Sequence, residues 1–190
     1  MSPAAIAGIF ASEITSWNDP AIAATNSGVS LPDATIAQFH RSDSSGTTAN
    51  FSAYLATVAP DIWAYDTGKE WTAPGGQGAK GSDQVTASVE QTPNSIGYVE
   101  LSYVMDAINA KAASVDQGAG PVEPTAQNAS NALSAAEIVG EGNDLILSID
   151  GVGLRGLSIV DVKRLIAGEE GSKVACHERM RACVCACVCV

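Results

Sequence analysis

The chain has 190 residues, 46% of them hydrophobic and 16% charged, enough apolar side chain for one packed core of ordinary domain size. This composition excludes a disordered polymer, and every apolar run is broken well short of the ~18 residues of a helical membrane span. The formal net charge of −11, with no basic patch, argues against a nucleic-acid partner but not against a small anion held by local dipoles.

Taken in chain order, Ser2-Pro3 is a capping signal in front of Ile6, Ile9, Phe10 and Ile14, which fall at roughly helical spacing. A polar turn at residues 15–20 leads into a second short apolar helix over residues 21–25, closed by Asn26-Ser-Gly28 in the manner of a left-handed cap. Residues 36–40 alternate and predict a short strand. The polar stretch 41–48 predicts a loop, and residues 49–59 a helix with Phe51, Leu55 and Val58 on one face. Residues 72–82 are glycine-rich and predict a further loop, residues 83–90 a helix, Pro93-Asn94 a turn, and residues 96–100 a strand. An alanine-rich stretch from 107 to about 114 predicts another helix. Strands alternating with helices imply an α/β fold with a partly parallel sheet.

Composition changes toward the C-terminus. Residues 1–150 carry four basic and 17 acidic side chains, whereas residues 151–190 carry six basic and four acidic ones. All five cysteines (Cys176, Cys183, Cys185, Cys187 and Cys189) lie in the last fifteen residues, so the body is not a disulfide scaffold. Residues 145–151 read as a strand into a tight turn and residues 158–166 as a short amphipathic helix, ahead of a low-complexity Cys/Val/Ala tail expected to be disordered. The first ten residues are apolar without a basic leader region, so no signal peptide is expected within the chain.

The segment richest in chemistry is Arg41-Ser-Asp-Ser-Ser-Gly-Thr-Thr48, between a predicted strand and a predicted helix. The first amides of a helix have no intrahelical partner and the helix dipole is positive there, so an anion is favoured. Gly46 allows close backbone approach, Ser45 and Thr47 add hydroxyls, and Arg41 brings a fork that matches two oxygens of an oxyanion. Asp43 could brace that guanidinium from behind. The same loop also fits a plain helix cap with Arg41 in solvent, and spacing alone leaves both readings open. Neither a Walker motif nor a nucleophile elbow is present.

A longer pattern bears on that choice. Ile9-Phe10 and Glu13-Ile-Thr-Ser-Trp-Asn-Asp-Pro-Ala-Ile22, then Leu31-Pro-Asp, the Arg41–Thr48 loop, Glu70-Trp, Gly78-Ala-Lys-Gly81 and residues 91–100 occur in this order. Together they resemble the periplasmic phosphate-binding proteins, the solute receptors of phosphate ABC transporters, from residue 5 to about 143. The resemblance implies an incomplete type II periplasmic-binding-protein fold, mainly one lobe. It implies inorganic phosphate as ligand, held by Arg41, Ser45, Gly46 and Thr47, with Asp43 in support. It also implies a membrane permease as partner, a periplasmic or cell-surface location, and a receptor rather than an enzyme, with no catalytic residue. Ser44 stands where the family usually has glycine. The likeness spans about half of a two-lobed site, so weak binding is expected, since water competes for every donor in an open half-site.

Residues 142–151, 160–166 and 168–174 are similar to the middle of a PDZ domain, without the carboxylate-binding loop that such a peptide groove needs. The expected division is therefore a receptor-like lobe over 1–141, a partial PDZ-like segment over 142–175 and a tail over 176–190. No cofactor is expected. No metal is assigned either, because Cys-x-Cys spacing does not bring paired thiolates onto one zinc. The alternating tail is also what a GT/GC dinucleotide repeat encodes, so a chimeric gene product carrying a relic receptor lobe is the alternative reading, as is a PDZ-like interaction polypeptide. Phosphate-ester hydrolysis has only the serine-rich loop behind it.

Overall fold

The first helix, α1 (Pro3–Phe10), starts where the capping signal puts it: Ser2 Oγ accepts the Ala5 amide at 3.2 Å and Pro3 occupies the first turn. It stops before Ile14. Ser12 takes a left-handed φ of 61°, and the amides of Glu13 and Ile14 both turn back to the Gly8 carbonyl at 2.8 and 3.0 Å. Ile14 then folds onto Gly8, where even a methyl group would meet Ile14 Cδ1 at 2.8 Å. The structure, a computed structural model, describes residues 1–135 and the strand segments 146–149, 152–153, 174–176 and 186–189.

Helix α2 (Pro20–Ala23) is capped by Asp19, whose Oδ1 accepts the Ala21 amide at 2.8 Å, and Gly28 with φ 83° follows it. Strand β1 (Ala37–Arg41) then enters a four-stranded sheet. Both partners of β1, namely β2 (Gln77–Ala79) and β3 (Ser95–Glu100), run parallel to it. Parallel neighbours require crossovers. Helix α3 (Gly46–Val58) and helix α4 (Gly81–Gln91) lie within the two connections, giving the order β1-α3-β2-α4-β3. The mixed α/β fold with a parallel sheet is the one expected from the alternating pattern.

Strand β3 is buried from Ser95 to Val99 and separates two apolar clusters. Ile96 and Tyr98 join Ile6, Phe10, Phe51, Leu55 and Trp63. Val99 joins Phe39, Val85, Val89 and Val104. Gly97 is required for the second contact, because a Cβ there would lie 2.9 Å from Val85 and 3.0 Å from Val89. Helix α4 packs on the sheet through that gap.

Four expectations are corrected. Helix α3 begins at Gly46, not 49, since Ser45 is extended and its Oγ accepts the Thr48 amide at 3.2 Å, so the last three residues of the expected loop, 46–48, belong to the first helical turn. The glycine-rich stretch is not all loop, because β2 lies within it. The helix expected from 107 to 114 does not form. A shorter helix, α5 (Leu101–Met105), precedes it, and the amides of Ile108 and Asn109 donate instead to Glu90 Oε1 at 2.6 and 2.9 Å. The tail is not wholly without structure: β9 (Ala186–Cys189) pairs antiparallel with β3, Gly97 opposite Cys189, as a period-two run of Cys and β-branched Val can.

The described chain divides into two units, residues 1–125 with the 186–189 strand, and residues 126–184. The first unit also holds a small ribbon of β4 (Val115–Asp116) and β5 (Pro121–Val122). The second holds α6 (Ala126–Ala135) and a three-stranded antiparallel sheet, in which β6 (Ile146–Ile149) lies between β7 (Val152–Gly153) and β8 (Val174–Cys176). The strand expected within 145–151 is thus present over 146–149, while the tight turn expected after it and the helix expected at 158–166 lie outside the described residues. Among the described residues no helix is long and apolar enough to cross a membrane.

Candidate anion-binding site

Strand β1 ends at Arg41 and α3 starts five residues later, at the edge where β3 ends in Glu100. In open parallel sheets, ligands gather beyond the carboxyl ends of the strands. Two outside contacts fix the link: the Ser42 amide donates to the Ala79 carbonyl at 3.0 Å and the Ser45 amide to the Lys69 carbonyl at 2.9 Å. The Thr48 amide is taken by its cap. The amides of Gly46 and Thr47, in the first turn of α3, have no acceptor among the described residues, and both sit where the helix dipole is positive.

Arg41 is held from several sides. Its Nε donates to Asp43 Oδ1 and its Nη2 to Asp43 Oδ2, both at 2.7 Å, a forked and charge-assisted pair with the arginine side chain 12% exposed. Nη1 donates to Ser82 Oγ at 3.0 Å and makes a long 3.5 Å contact with Thr47 Oγ1. A guanidinium has five N–H donors, so one on Nη2 stays free, and the weakly held one on Nη1 can be redirected. The Gly81 amide donates to Asp43 Oδ1 at 3.0 Å, which ties the start of α4 to the same carboxylate. Beneath this cluster the Tyr98 hydroxyl accepts the Arg41 amide at 3.2 Å and lies 2.7 Å from Thr48 Oγ1. Burial pushes the Tyr98 phenol above its ordinary range and keeps it neutral.

The hydrogen-bonded pairing with Asp43 raises the arginine's already high pKa. Asp43 in turn is held well below the usual carboxylate range, chiefly by Arg41, with desolvation opposing and the Gly81 amide assisting. A depressed carboxylate pKa contributes stability that is complete above the unfolded value of about 3.9 and is lost as pH falls below it. The melting temperature of Asp43→Asn should therefore lie below that of the parent at pH 7, with the gap closing as the pH is lowered through 4 toward 2. Parallel acid melts by circular dichroism check this, and a gap that stays constant down to pH 2 would contradict it.

All five residues singled out from the sequence lie in this corner. Arg41, Asp43 and Thr47 are in direct contact, Ser45 is the buried cap, and Gly46 presents a free amide. Ser44, at the position of the glycine substitution, is exposed. His40 is a packed side chain, stacked on Trp71 with ring centroids 5.0 Å apart. Sequence reasoning missed Ser82, Gly81 and Glu100. Glu100 Oε1 accepts the Thr47 hydroxyl at 2.6 Å, and its Oε2 is buried without a partner among the described residues. The available signal was positional: Glu100 ends a strand on the ligand-bearing edge, and Ser82 opens the helix after a glycine-rich stretch.

The family pattern for a PBP superfamily domain matches residues 1–154. Phosphate-binding protein PstS 3 of Mycobacterium leprae is 40% identical over 142 residues, which is 74% of this chain and 38% of that protein. Phosphate-binding protein PstS 3 of Mycobacterium tuberculosis is 40% identical over 147 residues, 76% of this chain and 40% of its own length. Phosphate-binding protein PstS of Xylella fastidiosa is 41% identical over 136 residues, 70% of this chain and 36% of its own. The chain thus spans roughly two fifths of the curated relatives it matches. With a family match covering most of its length and an α/β fold built on parallel strands, the chain belongs to the PBP superfamily.

Proposed function

We propose that residues 1–141 act as a receptor lobe for inorganic phosphate, as part of the solute-binding component of a phosphate ABC transporter. The observation that carries this reading is the corner itself: a guanidinium preset by Asp43 beside two unpartnered amides at the start of α3. Arg41, the Gly46 and Thr47 amides and the Ser45 hydroxyl are the ligands, and Asp43 holds Arg41 in place. An oxyanion there replaces its water shell with fixed donors of matching geometry. The names of the relatives supply the class of anion. The partner on this reading is a membrane permease, the location is periplasmic or cell-surface, and the role is capture without covalent chemistry.

Calorimetric titration of the purified chain with inorganic phosphate tests the proposal. Saturable binding, weaker than that of a closed two-lobed receptor, is the expected result. No heat and no thermal shift with phosphate raised to roughly 10 mM, where even millimolar affinity would register, would reject it.

A further inference from the structure

We propose that the groove between α4 and α5 is a docking surface for a partner protein that presents an arginine flanked by apolar side chains. This goes beyond the phosphate reading and does not depend on it.

Helix periodicity builds one wall. In α4, Asp83, Thr86, Ala87 and Glu90 recur at spacings of three and four, so they share one stripe. Facing them are Ser102 and Tyr103 of α5, then Asp106 and Ala107 just past it, and the two walls enclose about 370 Å³. Thr86 is buried, Ala87 and Ala107 are half-buried, and Asp83, Tyr103 and Asp106 are exposed. Short side chains thus make the floor and longer ones the rim, which leaves depth for one long side chain from outside.

The rim continues into an apolar patch. Five large apolar side chains are exposed among the described residues, and three of them, Tyr103, Met105 and Ile108, fall in this one segment. Single exposed apolar residues are ordinary, whereas a cluster with a polar border marks an interaction site. Met105 is 72% and Ile108 86% exposed. The segment is also pinned, because the amides of Ile108 and Asn109 both donate to Glu90 Oε1 at 2.6 and 2.9 Å. Ile108 is therefore held out in solvent by a fixed backbone, and docking there requires little further ordering.

Charge identifies the occupant. The charged groups of the lining are Asp83, Glu90 and Asp106, and none has an ion-pair partner among the described residues. They do not form a metal site, since among the described residues no group of three acidic, His or Cys side chains could hold an ion. Anionic lipid headgroups and nucleic-acid phosphates are repelled by them. A cation on a long stem complements separated carboxylates around a narrow groove. Guanidinium fits better than ammonium, because it forks onto carboxylates and stacks on an aromatic ring such as Tyr103. Met105 and Ile108 then call for apolar neighbours beside that arginine.

The test titrates the isotope-labelled full chain with the acetylated, amidated peptide Ala-Leu-Arg-Ile-Ala, followed by amide chemical shifts. Saturable shifts confined to residues 83–90 and 102–109 are expected. The same peptide with citrulline for arginine keeps the shape and loses the charge, and should bind about tenfold more weakly. Asp106→Asn and Met105→Ser should each weaken the arginine peptide about threefold or more. Asp61→Asn removes an exposed carboxylate just past α3, which packs on the other face of the sheet, and should change nothing. Equal weakening by Asp61→Asn and Asp106→Asn would mean that net charge alone attracts the peptide, and overturns the proposal. So do shifts centred outside the two stretches, equal binding of the citrulline peptide, or no saturable shift up to roughly 5 mM peptide. The citrulline comparison needs no change to the protein, so it decides even where a variant does not fold.

Discussion

Arg41→Ala is expected to raise the dissociation constant for phosphate by about a hundredfold or more, the range for truncating one member of a buried charge pair that also holds the ligand. The loss has two sources. The forked donor disappears, and Asp43, now held only through the Gly81 amide, turns from a brace into a negative charge facing an incoming anion. Arg41→Lys should not restore binding, because an ammonium cannot grip both Asp43 oxygens and also reach Ser82. Calorimetry on the folded variants measures the effect. Binding within about threefold of wild type in Arg41→Ala would mean that the anion sits elsewhere.

Phe10→Ala should produce the largest stability loss, about 3–5 kcal/mol, the usual cost of emptying a buried aromatic position. Phe10 is fully buried, and its ring meets Phe51 at 4.9 Å, Trp71 at 5.9 Å and Tyr98 at 5.8 Å, all edge-on. Because whole domains are stable by only about 5–15 kcal/mol, much of the margin would go. The damage should also spread to the site, since Tyr98 packs on Phe51 at 4.4 Å and its hydroxyl holds the Arg41 amide. Urea unfolding followed by circular dichroism gives the first effect and phosphate titration the second. A loss below about 1 kcal/mol would show that this aromatic cluster does not organise the core.

Much of the parallel sheet was legible because local signals agreed with tertiary packing. Ser2-Pro3 and Asn26-Ser-Gly28 are local helix punctuation, and the short apolar run at residues 96–100 reads as a strand without reference to its partners. Failures came where partners remote in sequence decided the outcome. Alanine-rich residues 107–114 have good helix propensity, yet two of their amides are claimed by Glu90 on another helix. Strand β2 has three residues, two of them small, and forms because β1 supplies a ladder. The local half of the site, from Arg41 to Thr47, could be read because its parts are consecutive. The remote half, Gly81, Ser82 and Glu100, could not, because nothing in the stretch around each of them indicates that Gly81 meets Asp43, Ser82 meets Arg41 and Glu100 meets Thr47.

The two-pronged grip of Asp43 on Arg41 also bears on how a ligand is found. A guanidinium so closely matched projects almost no long-range pull, and the surrounding molecule, at −11, pushes anions away. If the proposed site is used, capture is a matter of touch: small solutes would arrive by random encounter and stay only if they fit the few free N–H groups, with no help from the long-range field.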